Sequence, residues 1–220
     1  MKILNIFNKL ISENEIPLEE EYPLTWNFEE FKKLTNFSQR INYCEQHLKR
    51  ISSGSGRIAY KIDEEKVLKL AKNKKGVAQN EVEIEQSMDN GLRHILANVF
   101  EYEKTHSLWV EMELARKLSV GDFKRLVGFN FKDYAEFIHN HGVDVNGGRG
   151  FKYSIDKELA NAMWENEFIY DMAQYVGNYG IPTGDLERIN TYGIVKRGGE
   201  DTIVIIDYGL TEDVYDTHYR

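Results

Sequence analysis

Three polar residues near the end of the sequence have side chains that could bind a divalent cation or activate a hydroxyl group. Asp185 and Asn190 occur together in IPTGDLERIN, and Asp207 follows an apolar run in TIVIIDYGL. Carboxylate and amide oxygens are the ligands that Mg²⁺ prefers, and a carboxylate can also take the proton of an attacking hydroxyl. Either motif alone is typical of a simple turn, but the two in this order favour a reactive site.

A lysine upstream would add a positive charge to such a site. Lys69 lies in KVLKLA, whose apolar residues predict a strand on which Lys69 shares a face with Val67. Phosphoryl transfer requires a cation on the phosphates, a backbone cover, oxygen ligands for Mg²⁺ and a base near the acceptor. The sequence offers each of these parts in order. A lysine on a half-buried strand usually extends to solvent, so this assignment depends on a carboxylate partner.

In this order the residues resemble the motifs of the protein-kinase-like superfamily, with Asp207-Tyr208-Gly209 matching its Asp-Phe-Gly element. The resemblance implies that Asp185 orients or deprotonates the acceptor hydroxyl, and that Asn190 and Asp207 bind Mg²⁺. It also implies that Lys69 contacts the α- and β-phosphates of ATP. The resemblance covers about residues 48–210.

The stretch SSGSGRIAYKI is similar to the phosphate-covering loop of the same superfamily. Gly54 matches the central glycine of that loop, Ser52 stands where the first glycine is usual, and Arg57 lies near the third. The resemblance implies that the backbone N–H groups of Ser55 and Gly56 cover the nucleotide. With fewer glycines, the loop would either cover the phosphates in this way or bind them weakly.

The resemblance also assigns a glutamate on a helix as the partner of Lys69. The stretch KKGVAQNEVEIEQSM predicts this helix, with one face formed by Val77, Glu81, Ile84 and Met88. Helical phase therefore favours Glu81 over Glu83 as the partner, with Glu85 second.

A third stretch, WVEMELA, is similar to the strand and hinge that hold the adenine base. Carried over by position, Met112 would back the base, while the carbonyl of Glu113 and the N–H of Ala115 would contact its edge. Leu114 would lie between these two contacts. Without the other motifs, this stretch is equally typical of an ordinary apolar strand.

The elements that must position these residues change character along the chain. We predict a helical extension over residues 1–47, a small antiparallel sheet over 48–114, and a mainly helical part over 115–220 that ends in a β-hairpin with a Gly-Gly turn in VKRGGED. The fold class is therefore α+β. The resemblance implies a bilobal protein-kinase-like fold with a β-sheet N-lobe and a truncated helical C-lobe.

The ending of the sequence and the catalytic motif narrow the expected group. Only LTEDVYDTHYR follows Gly209, so we expect the acceptor-binding helices of larger kinases to be missing. Thr183 stands where the family usually has His, and the Gly184-Asp185 pair is closer to small-molecule kinases than to protein kinases. The arrangement is similar to very small kinase-like proteins of bacteriophages and some bacteria. The pair His139 and His141 favours a solvated helix end over a metal site, because side chains two positions apart point to different helix faces.

Composition limits the partners and the location. The 220 residues carry a formal net charge of −8, which argues against nucleic acid as a partner. The single cysteine, Cys44, fits a reducing compartment and a buried apolar role. The opening residues are typical of neither a signal peptide nor a membrane span. We expect no membrane partner and a cytoplasmic protein, in the host cytoplasm if the chain is phage-encoded.

Three functions remain open on the sequence. The first is an ATP- and Mg²⁺-dependent phosphotransferase, whose acceptor is unknown and could include protein Ser, Thr or Tyr hydroxyls. The second is a pseudokinase, which would act as a nucleotide-binding or protein-interaction module. The third is nucleotidyl transfer to a hydroxyl, which no residue pattern selects.

Overall fold

The computed structural model describes residues 25–145 and 150–218 of the chain. These residues fall into two compact units, one ending at Lys49 and one beginning at Arg50. Residues 1–24, which begin the predicted helical extension, lie outside the described residues.

The first unit contains two short helices, α1 (Phe28–Lys33) and α2 (Phe37–His47). Each helix begins after an asparagine, Asn27 or Asn36, whose side chain accepts a backbone N–H from the first turn. Cys44 is buried on α2, as expected for a small apolar residue.

The second unit opens with a five-stranded sheet in the order β1-β2-β3-β5-β4. Its strands are β1 (Lys49–Ser53), β2 (Arg57–Lys61), β3 (Lys66–Ala71), β4 (Val99–Tyr102) and β5 (Trp109–Glu113). The β2–β3, β3–β5 and β4–β5 pairs are antiparallel. Lys69 lies on the central strand β3, opposite Ala59 on β2 and Val110 on β5. The side chain of Lys69 projects from the face of the sheet, where Glu83 and the carbonyl of Ile206 contact it, and the residue is 8% exposed.

Helix α3 (Lys74–Ser87) follows β3 and packs against the sheet. Asn73 caps its first turn by accepting the N–H of Gly76 at 3.2 Å. The buried residues of the helix are Gly76, Asn80, Glu83, Ile84 and Gln86. Met88, which we expected on the inward face, is 60% exposed. The buried face of α3 is thus largely polar.

The helical part of this unit consists of α4 (Val120–Val127), α5 (Phe131–Val145), α6 (Lys157–Trp164), α7 (Glu167–Tyr179) and the short α8 (Thr183–Leu186). Two fully buried tyrosines connect its layers. The hydroxyls of Tyr134 on α5 and Tyr192 lie 2.7 Å apart, and the Tyr192 hydroxyl donates to the Leu186 carbonyl at 2.9 Å. Because buried hydroxyls need partners, these bonds hold the end of α8 against the core.

A second sheet follows α8, formed by β6 (Arg116–Lys117), β7 (Tyr192–Arg197) and β8 (Glu200–Ile205) in the order β6-β7-β8. Gly198 and Gly199 join β7 to β8 with φ angles of 60° and 87°. Both angles are favourable for glycine, so the predicted hairpin with a Gly-Gly turn is confirmed. Asp207 comes two residues after the end of β8, and α9 (Glu212–His218) follows it.

The predicted fold class is confirmed: the chain is α+β, with a small antiparallel sheet followed by a mainly helical part. The expected division of these two parts after residue 114 stays a prediction. The glycine-rich stretch NGGRG, whose composition predicts a loop, lies mostly at residues 146–149, outside the described residues. Among the residues that the structure describes, no helix is both long and apolar enough to cross a bilayer.

Two glycines let other segments approach the backbone of α3 closely. A Cβ atom at Gly76 would overlap the carbonyl group of Gly56, and a Cβ atom at Gly209 would overlap the carbonyl group of Gln79. The glycine-containing loop and the Asp207-Tyr208-Gly209 segment therefore both lie directly against this helix.

The close approach at Gly76 predicts a selective loss of stability in Gly76→Ala. We expect its free energy of unfolding to fall by about 1–3 kcal/mol, because the new methyl group must displace backbone. Gly121→Ala on α4 is the matched control, since its nearest neighbour would be the Ser119 hydroxyl at 3.8 Å. This control should gain about 0.5–1 kcal/mol from helix propensity. Equal stabilities of the two variants in urea unfolding would contradict the packing described here.

Candidate functional site

A cavity of about 400 Å³ brings most of the predicted site residues together. That volume is within the range of small-molecule sites. The predicted residues on its wall are Gly54, Ser55, Gly56, Lys69, Asp185 and Asp207. The loop after β1, the strands β2 and β3, and helices α3, α8 and α9 all contribute to the lining. Residues more than a hundred positions apart in sequence thus face one space.

Lys69 has a carboxylate partner, and that partner is Glu83. The Nζ atom of Lys69 lies 2.7 Å from Oε1 of Glu83 and also donates to the carbonyl of Ile206 at 2.7 Å. Lys69 is 8% exposed and Glu83 is fully buried. The expectation that Glu81 pairs with Lys69 is therefore wrong, because Glu81 is exposed on the outer face of α3.

The error over Glu81 has a physical cause. Apolar spacing placed Glu81 on the inward face, but Asn80, Glu83 and Gln86 are the buried polar residues of α3. An inward stripe of polar residues is stable only where other elements supply partners. Those partners lie on other elements, namely Arg57 on β2, Lys69 on β3 and Tyr175 on α7, so the local sequence of the helix gives no signal of them.

Arg57 completes this cluster of charges, and the sequence did not identify it as a site residue. Its Nη1 lies 2.7 Å from Oε2 of Glu83 and donates to Oδ1 of Asn80 at 3.3 Å, while its Nη2 forms an ion pair with Oδ1 of Asp207. Arg57 itself is 8% exposed. The one signal in the sequence was an arginine close to the place of the third glycine of the loop motif.

Asp207 lies at the boundary between this cluster and the cavity. Its side chain is 62% exposed, and Oδ1 is 3.9 Å from Nζ of Lys69 in addition to its contact with Arg57. Desolvation would raise the pKa of Asp207, but the positive charges of Arg57 and Lys69 outweigh it and lower that pKa. Asp207 is therefore held as a carboxylate.

The pKa of Lys69 is lowered by burial, and the neighbouring Arg57 acts in the same direction.

Asp185 faces the same cavity from α8 in a different environment. Its carbonyl accepts the Thr191 hydroxyl at 2.6 Å, which fixes the backbone, and its Oδ1 lies 3.4 Å from Nη1 of Arg188. Desolvation raises the pKa of Asp185 and the negative charge of Asp207 adds to this rise, whereas Arg188 opposes it. A carboxylate with a raised pKa is a better proton acceptor than an ordinary one.

The glycine-containing loop is anchored by its carbonyl groups. Lys72 donates from its side chain to the Gly54 carbonyl at 2.8 Å and from its backbone to the Gly56 carbonyl at 2.7 Å, and Asn73 donates to the Ser55 carbonyl at 2.9 Å. These bonds direct the three carbonyl oxygens toward residues 72–73. The predicted contact of the Ser55 and Gly56 N–H groups with phosphate stays a prediction.

Four other predicted residues do not line this cavity. Asn190 is exposed in the 3₁₀ turn after α8. Met112 is fully buried on β5, and the Glu113 carboxylate accepts bonds from Arg197 at 2.8 Å and from the Asn98 N–H at 3.0 Å. Ala115 packs beside Gly193. The predicted contacts of Met112, Glu113 and Ala115 with adenine stay predictions.

The arrangement does not present a ready site for Mg²⁺. Within residues 25–145 and 150–218, no group of three or more His, Cys, Asp or Glu side chains is placed to hold a metal ion. Oδ1 of Asp207 is in contact with Arg57, and Asn190 lies outside the cavity wall. The donor set that we predicted is therefore not assembled here.

A histidine holds the segment next to Asp185. Nδ1 of His139 on α5 lies 2.9 Å from Oε1 of Glu187, and its Nε2 lies 3.0 Å from the carbonyl of Phe151. Both partners accept hydrogen bonds, so only the doubly protonated ring satisfies both. The bond to Glu187 accordingly raises the pKa of His139. The expectation of a solvated helix end is wrong for this residue, which is half-buried.

No protein-family model and no curated protein matches the sequence. Among solved structures, the chain is similar to a ternary complex of streptomycin, ATP and APH(2'')-IIa, with 12% identity, a TM-score of 0.36, and coverage of 80% of this chain and 72% of that one. The chain is also similar to the GDP complex of wild-type aminoglycoside 2'-phosphotransferase-IIIa, with 9% identity and a TM-score of 0.38. This match covers 83% of this chain and 70% of that one. A third similar structure is SAICAR-synthase from Saccharomyces cerevisiae in complex with SAICAR, with 11% identity and a TM-score of 0.34. This match covers 76% of this chain and 74% of that one. At these identities and TM-scores the likeness assigns neither a substrate nor an activity to this chain.

The contacts of Glu83 predict unequal effects of two neighbouring substitutions. Glu83→Gln should lower the free energy of unfolding by about 3–5 kcal/mol, because it leaves two buried cations without their shared carboxylate. Glu81→Gln, the matched control two residues before Glu83 on the same helix, should change it by no more than about 0.5 kcal/mol. Urea unfolding of both variants measures this difference. A larger loss in the Glu81 variant would contradict the pairing seen here.

The raised pKa of His139 predicts a pH-dependent contribution to stability. Its unfolded pKa is about 6.5, so this contribution is fully present below that pH and is lost as pH rises through the higher folded value. Between pH 6 and pH 8 the wild type should lose about 0.5–1 kcal/mol more than His139→Gln does. His106→Gln, which changes an exposed histidine, should retain the wild-type dependence. Parallel unfolding curves for wild type and His139→Gln at both pH values would contradict this assignment.

Proposed function

We propose that this chain binds the phosphate groups of ATP in the cavity and transfers the terminal phosphoryl group to a hydroxyl acceptor. One observation supports this most directly. The Lys69–Glu83 ion pair, the Asp207 carboxylate and the Asp185 carboxylate are assembled around a single cavity beside a glycine-containing loop. These are the parts that phosphoryl transfer requires of a protein, since the reaction depends mainly on positioning and electrostatic stabilisation.

Three cations on the cavity wall can bind the phosphate chain, namely Lys69, Arg57 and Arg188. Their positive charges would stabilise the negative charge that the phosphate oxygens carry in the transition state. Lys69 is the best positioned of them, because Glu83 and the Ile206 carbonyl fix its ammonium group. Arg188 lies on the cavity wall beside Asp185 and would bind the terminal phosphate.

Asp185 would act on the acceptor. The acceptor oxygen forms a bond to the γ-phosphorus, the bond from that phosphorus to the β–γ bridging oxygen breaks, and ADP leaves with the electron pair. The acceptor proton passes to a carboxylate oxygen of Asp185, whose raised pKa suits this task. Its backbone is held by the Thr191 hydroxyl, so the carboxylate approaches the cavity from a fixed position.

The resemblance to kinases implies two further features of the site, a bound metal ion and a place for the adenine base. Mg²⁺, with Asn190 and Asp207 as ligands, is the cofactor that the resemblance to kinases implies. The arrangement of Asn190 and Asp207 does not fit this ion, so no step of the proposed transfer depends on Mg²⁺. Met112, Glu113 and Ala115 are proposed to hold the adenine base, and the acceptor stays open.

A second function is supported by one specific contact. Arg57 forms an ion pair with Asp207, the carboxylate that would bind the metal ion in a kinase. A protein of this kind could bind a nucleotide without transferring phosphate and act through a protein partner instead. The two functions differ in whether Asp185 is needed, because binding involves the cations whereas transfer also involves the base.

The proposed function predicts separate losses of binding and of transfer. ATP should raise the melting temperature of the wild type, since a ligand that binds only the folded state stabilises it. Asp185→Asn should retain this shift but lower transfer of the γ-phosphate label by about 10²–10⁴-fold. Label transfer to water or to an added hydroxyl acceptor is the readout. Asp213→Asn, on the exposed side of α9, is the control and should retain both properties.

The outcomes separate the two functions. An ATP-induced shift without label transfer in the wild type would favour the non-catalytic nucleotide-binding protein. Absence of a shift with any nucleotide at millimolar concentration would contradict both functions.

A further inference from the structure

Arg57, the first residue of β2, is buried, and its guanidinium contacts Asp207 in the segment after β8. The carboxylate of Glu83 and the amide oxygen of Asn80 hold one end of its guanidinium. Asn80 is itself fixed, because its amide group donates to the Ser107 carbonyl at 2.7 Å. The guanidinium is thus anchored from the interior and presents its other nitrogen to Asp207.

The charges of this cluster balance without any added ion. Lys69 and Arg57 contribute two positive charges, and Glu83 and Asp207 contribute two negative charges. A divalent cation on Asp207 would therefore meet a guanidinium in contact with the same carboxylate and an ammonium group 3.9 Å from Oδ1. Like charges at such separations repel each other, and the repulsion is stronger in a partly buried site than in water.

We propose that Arg57 is a built-in cation that takes the position of a divalent metal on Asp207 and keeps such ions from binding there. Arg57 acts through Asp207 and is a positioning residue. If the cavity binds ATP as proposed above, the guanidinium of Arg57 would also supply the phosphate groups with positive charge that a metal ion supplies in other nucleotide sites. This one consequence rests on the proposed function. The block to metal binding itself rests only on the contacts of Arg57.

Direct binding of Mn²⁺ in the absence of nucleotide tests this proposal. The free Mn²⁺ signal in electron paramagnetic resonance reports how much of the ion each protein binds. We expect little binding to the wild type. Arg57→Gln and Arg57→Met should each bind Mn²⁺ about tenfold or more tightly than the wild type, because they remove the competing charge. Lys69 still neutralises Glu83 in both variants. Two substitutions of different polarity are used so that the test remains valid if one of the variants fails to fold.

Two controls make the result specific to the Arg57–Asp207 contact. The double variant Arg57→Gln, Asp207→Asn should lose the gained Mn²⁺ binding, because the ligand carboxylate is gone. Arg188→Gln removes another cationic side chain from the same cavity, one that pairs with Asp185 rather than with Asp207. This variant should bind Mn²⁺ as weakly as the wild type does.

Three results would overturn the proposal. They are tight Mn²⁺ binding by the wild type that Asp207→Asn abolishes, no gain of binding in either Arg57 variant, and an equal gain in Arg188→Gln. The test contains no nucleotide, so a failure of ATP to bind contradicts the proposed function and leaves this measurement valid.

Discussion

The buried carboxylate of Glu83 is the interaction on which the site depends. It is fully buried and lies 2.7 Å from both Lys69 and Arg57. A charge in such a place is stable only when it is paired and hydrogen-bonded, so the two cations on β2 and β3 are required by the acid on α3. Because Arg57 and Lys69 also approach Asp207, one carboxylate fixes two strands, a helix and the segment after β8 relative to one another.

The two aspartates on the cavity wall show how environment can give one residue type two roles. Asp207 lies beside two cations, which lower its pKa, whereas desolvation and the charge of Asp207 raise the pKa of Asp185. Pairs of acids whose pKa values are pushed apart in this way are typical of sites that separate charge stabilisation from proton transfer. In this chain the opposite pKa shifts of the two aspartates arise from burial and from their different distances to Arg57, Lys69 and Arg188.

Local signals predicted those parts of the fold and site that depend on neighbours in sequence. The Gly198-Gly199 turn was predictable because its φ angles favour glycine, and Lys69 was predictable because it interrupts an apolar strand. Glu83 was not, since the inward face of α3 is polar and its partners lie on other elements. Arg57 was missed for the same reason, because its contact with Asp207 joins residues 150 positions apart.

Helix α3 contacts the glycine-containing loop and the Asp207-Tyr208-Gly209 segment through its backbone as well as through its side chains. Gly56 in the loop meets Gly76 near its first turn, and Gly209 meets Gln79 one turn later. Side chains can adjust their rotamers to absorb a small shift, but backbone in direct contact cannot. A small displacement of α3 would thus move the loop, Glu83 and the Asp207 segment together as one rigid group. Any partner that pressed on the exposed face of this helix would reshape the whole cavity at once.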